Sequence, residues 1–104
     1  MNLSEREQYI IDRYQAGEAE MILVFVQWCH NHKLDPLEVY REAYPNQALP
    51  AKLIEINQEL IDSNENVQIE TSLLLEILQV YGNDDLAYIV ANYDEKLIDK
   101  TKKG

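Results

Sequence analysis

From Glu18 onward the chain carries Ala19, Met21, Ile22, Leu23, Val24, Phe25, Val26, Trp28 and Cys29, a segment apolar nearly all round. Such a segment needs cover on every side, so it belongs in the interior of a packed domain. It is too long for an ordinary strand. Its continuous apolar run, Met21 to Val26, is far too short to span a bilayer. The expectation is a central helix over about 18–32, surrounded by other helices.

Composition agrees with an all-α fold. A chain of 104 residues is the size of one domain, 1–104, and buries about two-thirds of its extended surface on folding. Hydrophobic residues at 46% and charged residues at 27% exclude a wholly disordered chain. Three Gly and three Pro are too few for a turn-rich β fold. The single Cys29 excludes an intramolecular disulfide. No basic-then-apolar leader follows Met1, and the expected location is the cytoplasm.

Amphipathic segments flank the central one. Ser4 and Glu7 have the spacing of a capping box, Tyr9, Ile10, Ile11 and Tyr14 follow at helical spacing, and Gly17 is expected to end or kink this first helix. Asp35-Pro36 is a cap followed by proline at the first helical position. Leu37, Tyr40, Ala43 and Tyr44 form the expected buried stripe of that helix, and Pro45 stops it. Pro50 is expected to open the next helix in the same way, with Leu53, Ile54, Ile56, Leu60 and Ile61 on one face. Asn66 and Thr71 are both plausible caps for a helix through Leu73, Leu74, Ile77, Leu78 and Tyr81, closed by Gly82. Asn83-Asp84-Asp85 begins a last helix through Leu86, Ile89, Val90, Tyr93 and Leu97, with a basic tail expected to fray over about 100–104. The sum is a compact bundle of five to six short helices.

The net charge is -10, and its distribution is uneven. Between Leu53 and Glu95 lie ten acids and no Lys or Arg, while the rest of the chain is neutral. This field repels phosphate and anionic lipid, so nucleic acid and membrane are not expected partners. The third helix, Pro36 to Tyr44, carries Arg41 against Glu38 and Glu42, a poor reader of DNA.

Within the acidic stretch Glu55, Glu59 and Asp62 stand four and three apart, forming a ridge on one helix face. Like charges at that spacing cost about 0.2–0.5 kcal/mol per pair, and only Lys52 is placed to relieve them. Seven Tyr exceed what a small core needs, and Tyr40 and Tyr44 share one stripe. Cys29, His30, His32 and Asp35 are all metal-ligand types within seven residues. A structural zinc site takes four ligands, and the chain has no other Cys or His, so no metal and no other cofactor is expected. The same residues offer the only nucleophile–base pair, with Cys29 in the most apolar helix, and no phosphate loop or hydrolase motif is present.

The resulting expectation is a non-enzymatic interaction or regulatory module. It would bind a protein partner, basic in charge, through Glu55, Glu59, Asp62, Tyr40 and Tyr44. Two alternatives stand beside it: a metal-binding protein using Cys29, His30, His32 and Asp35, and a nucleic-acid mimic whose ten acids share one face. Surplus tyrosines on the surface would also suit a homodimer, formed through the charge-neutral first and third helices.

Overall fold

The computed structural model describes residues 5–63 and 67–103, with side chains over 17–63 and 67–98. The capping-box residue Ser4 and the cap candidate Asn66 fall outside this description, as do the side chains of Tyr9 and Tyr14. Five helices follow one another: α1 (Glu5–Asn31), α2 (Pro36–Ala43), α3 (Ala51–Ser63), α4 (Thr71–Val80) and α5 (Asp84–Lys103). No strand occurs among the described residues, and the all-α bundle is as expected.

The break expected at Gly17 does not occur, because α1 runs straight through it. Glycine inside a helix costs about 1 kcal/mol relative to alanine. Packing explains its presence: a Cβ at position 17 would stand 1.5 Å from Tyr81 Oη and 2.5 Å from Cζ. Gly17 lets the Tyr81 ring, at the end of α4, lie directly on α1. The central segment is thus the second half of one 27-residue helix.

Two chain reversals have the same construction. After α1, Leu34 N–H donates to the Cys29 carbonyl (2.8 Å) and Lys33 N–H to His30 (3.1 Å). After α4, Asn83 N–H donates to Leu78 (2.8 Å) and Gly82 N–H to Gln79 (3.0 Å). Both are Schellman closures, which need a left-handed residue after the helix. Gly82 takes this role at φ 73°, as its position predicts, whereas Lys33 does so at φ 59° without glycine's freedom. Asp35 then caps α2, its carboxylate accepting from Leu37 N–H at 2.9 Å, with Pro36 in the first turn. Pro50 instead lies just before α3, where its carbonyl accepts from Leu53 and Ile54 N–H.

The helices close a ring of neighbours. α1 packs on α3 and α4, α4 on α5, α5 on α2, and α2 returns to α3 and across to α1. Among the described residues, six of the fifteen buried hydrophobics come from α1: Met21, Ile22, Phe25, Val26, Trp28 and Cys29. Leu53, Ile56 and Leu60 supply the α3 side, Leu74 and Leu78 the α4 side, and Leu86, Ala87 and Val90 the α5 side. In α2 the buried pair is Pro36 and Val39, with Leu37, Tyr40, Ala43 and Tyr44 only partly covered. Ile54, Ile61 and Leu73, expected on buried faces, stand about half-exposed, as does Leu23. The ring of five leaves these positions facing outward.

One polar link crosses this core. Trp28 Nε1–H donates to Thr71 Oγ1 (3.0 Å), and that hydroxyl donates to Asp94 Oδ1 (2.9 Å). Thr71 therefore bridges α1, α4 and α5 instead of capping α4, whose N-cap Glu70 makes no side-chain cap bond.

The Gly17 contact gives a signed expectation. Gly17→Ala alone should lower stability by about 1–2 kcal/mol through overpacking against Tyr81. In a Tyr81→Ala background the same change should raise stability by about 1 kcal/mol through helix propensity. Urea unfolding of the four proteins in this cycle checks both signs.

Candidate functional site

The acidic ridge lies on the outer side of α3, where Glu55, Glu59 and Asp62 are all exposed. Leu53, Ile56 and Leu60 face the core, so helical spacing turns residues 55, 59 and 62 away from it. Lys52 Nζ is 3.5 Å from Glu55 Oε2, the one local relief that the spacing predicts. Asp62 accepts from Gln58 Nε2 at 3.1 Å.

Glu55 and Glu59 also form the rim of a groove of about 310 Å³ between α1 and α3. Its floor is apolar, made by Ala19, Leu23 and Ile56, Glu20 stands on the α1 side, and Lys52 lines the α3 side beside Glu55. The α3 half of this site is visible as an i, i+4 acidic pair. The α1 half is not, because Leu23 sits in an apolar run that looks uniformly buried.

Tyr40 and Tyr44 do pair on α2, with ring centroids 5.0 Å apart. They do not join the acidic groove. Tyr40 lines a separate cavity bordered by Pro50 and Leu53, and no residue lines both spaces. Tyr44 is committed to the fold: its hydroxyl donates to Asn83 Oδ1 at 3.0 Å, joining α2 to the start of α5. Burial raises the Tyr40 phenol above its ordinary range, with the Glu18 charge adding to it. Burial raises Tyr44 as well, and a backbone hydrogen bond from Leu86 pulls the other way. Of the five described tyrosines Tyr88 alone is exposed, and Tyr40, Tyr44, Tyr81 and Tyr93 are partly covered.

The four metal-ligand types are engaged one by one. Cys29 is fully buried, and burial pushes its thiol well above the ordinary range, the inert condition for a cysteine. His30 Nε2 meets Asn57 Oδ1 at 2.7 Å, linking α1 to α3. The His32 ring lies 4.7 Å from the Trp28 ring, and Asp35 caps α2. No three His, Cys, Asp or Glu side chains converge as a metal site among the described residues.

The described acids of the 53–95 stretch also divide. Those of α3 stand on a helix that packs on neither α4 nor α5, the helices that carry Glu76, Asp84, Asp85, Asp94 and Glu95. No helix among the described residues is long and apolar enough to cross a membrane.

A small five-helix bundle with an acid-rimmed surface groove is thus the class the structure defines. The chain belongs to the YxiS family, whose model matches residues 2–95. A relative from Bacillus subtilis (strain 168), described as "Uncharacterized protein YxiS", is 40% identical over 82 residues, covering 78% of this chain and 85% of the relative. No solved structure matches the chain.

One contact between helices controls a titration. Tyr93 on α5 donates its hydroxyl to Glu42 Oε2 at the end of α2. That hydrogen bond, reinforced by burial and by the Glu42 charge, raises the phenol from 10.0 to about 12. A raised phenol stabilises the fold in its protonated form. The contribution is complete below pH 10.0 and disappears as pH rises to about 12. The tyrosinate absorbance titration should lose a late-titrating phenol in Tyr93→Phe, and Glu42→Gln should move that phenol down toward 10.0.

Proposed function

We propose that this protein is a non-enzymatic, cytoplasmic interaction module whose α1–α3 groove receives a basic amphipathic helix of a protein partner. The groove itself carries the reading: an apolar floor at Leu23 and Ile56 between Glu20 on one side and Glu55 and Glu59 on the other, three carboxylates against the single lining cation Lys52, which is paired with Glu55. An amphipathic helix lays its apolar stripe into such a floor, and flanking Lys or Arg meet the rims. The ridge charges repel one another within α3, and a basic partner relieves that repulsion. Leu23 is 44% exposed, an apolar side chain that a partner would cover. Asp62 adds to the field beyond the groove rather than to its rim. Tyr40 and Tyr44 play no part in this surface.

The test uses two synthetic helices with the same leucine stripe, one flanked by Lys and one by Glu. The Lys-flanked helix should bind, with an affinity that falls as salt rises. Glu55→Lys combined with Glu59→Lys should weaken it by about tenfold. Leu23→Asp should weaken it at every salt concentration. Equal binding of the two peptides, or indifference to all three substitutions, would refute the reading.

A further inference from the structure

On another face of α1 from the acidic groove, a cavity of about 70 Å³ opens between α1, α2, the start of α3 and the α4–α5 turn. Its inner wall is apolar, built from Ile22, Phe25, Leu53, Leu78 and Leu86. Its mouth is polar, with Glu18, Tyr40 and Asn83. Glu18, Met21 and Asn83 also line a wider cleft outside it, about 310 Å³, whose fourth wall is Tyr81. The two spaces adjoin through Glu18, Met21 and Asn83, so they read as one funnel: an apolar chamber edged by Tyr40 beneath a vestibule walled by a carboxylate, an amide and the Tyr81 ring. We propose that this funnel is a binding site for a small organic ammonium ion, its charged head in the vestibule and a short apolar tail in the chamber.

The chemistry of the lining selects that class. No Lys or Arg lines either space, and Glu18 is the one acid that lines both. An anion would meet that carboxylate and no fixed cation. The Asn83 amide is already oriented by the fold, its Oδ1 accepting from Tyr44 and its Nδ2 donating toward Met21 Sδ at 3.0 Å. It therefore has little to offer an anion. A cation gains from the Glu18 charge and from the negative faces of aromatic rings, which attract ammonium groups within about 6 Å. The Glu18 charge reaches this mouth, since it contributes to the upward shift of the Tyr40 phenol. Each water-sized atom claims roughly 10–15 Å³ of such space, so the chamber has room for about five to seven non-hydrogen atoms. A butyl chain fits.

The Gly17–Tyr81 contact acquires a second meaning here. By admitting the Tyr81 ring against α1, Gly17 places that ring on the wall of the vestibule. The site depends on none of the residues that line the α1–α3 groove.

The test compares butylammonium, butanol and butyrate by backbone NMR titration of the full chain at neutral pH. Butylammonium should shift resonances around Glu18, Tyr40, Leu78 and Asn83 with a dissociation constant on the order of 1 mM. Butanol should bind about three- to tenfold more weakly, and butyrate more weakly still. Glu18 is exposed, so Glu18→Gln keeps the fold and should erase most of the preference for the cation over the alcohol. Tyr40→Leu should reduce butylammonium affinity while leaving butanol affinity within about twofold. Butanol binding as tightly as butylammonium, or an unchanged preference in Glu18→Gln, would overturn the proposal. So would the absence of localised shifts with butylammonium at about 50 mM, far above the expected constant.

Discussion

Trp28 is the residue on which the bundle is organised. It is fully buried, and a side chain of its size removes about 150–250 Å² from water, a gross gain of about 4–6 kcal/mol. That gain requires a partner for the indole N–H, because a buried donor left unpaired costs about 1–3 kcal/mol. Thr71 supplies the partner, and its own hydroxyl donates a hydrogen bond to Asp94. One side chain of α1 thereby sets the start of α4 and the position of α5. No buried side-chain N or O among the described residues lacks a hydrogen-bond partner, so the polar links fit the packing rather than compete with it.

Around this corner, other helix contacts are fixed by single polar pairs at the core's edge. His30–Asn57 joins α1 to α3, Tyr44–Asn83 joins α2 to α5, and Tyr93–Glu42 adds a second link between α2 and α5. Gln27, buried on α1, donates to Asn31, which in turn donates to the Val67 carbonyl and ties down the approach to α4. These links help determine which spaces remain open. The α1–α3 pair leaves an acid-rimmed groove, and the meeting of α1, α2 and the α4–α5 turn leaves an apolar chamber with a negative mouth.

The helices were legible in the sequence because their ends are written in local chemistry. Asp35-Pro36 and Gly82 act where their types predict, since capping and left-handed closure depend on one or two residues. Gly17 was misread for the opposite reason. Its role comes from Tyr81, sixty-four residues away, and no local pattern distinguishes a helix end from a close approach. Thr71 shows the same limit: it is a good cap by type, but tertiary demand from Trp28 claims its hydroxyl. Ile54, Ile61 and Leu23 sit on apolar stripes wider than the contact their helices make. The ridge at Glu55, Glu59 and Asp62 was readable from spacing, whereas its α1 counterpart and the separation of Tyr40 and Tyr44 depend on how the helices cross.

A fold in which one indole anchors three helices predicts where stability is concentrated. Thr71→Val keeps the side-chain volume but removes the acceptor for Trp28 and the donor for Asp94, whereas Thr71→Ser keeps both. Urea unfolding, followed by the fluorescence of this one tryptophan and by circular dichroism, compares them directly. The account predicts a loss of about 1–3 kcal/mol for Thr71→Val and less than about 1 kcal/mol for Thr71→Ser, with both probes reporting one transition. A Thr71→Val protein as stable as the parent would contradict it.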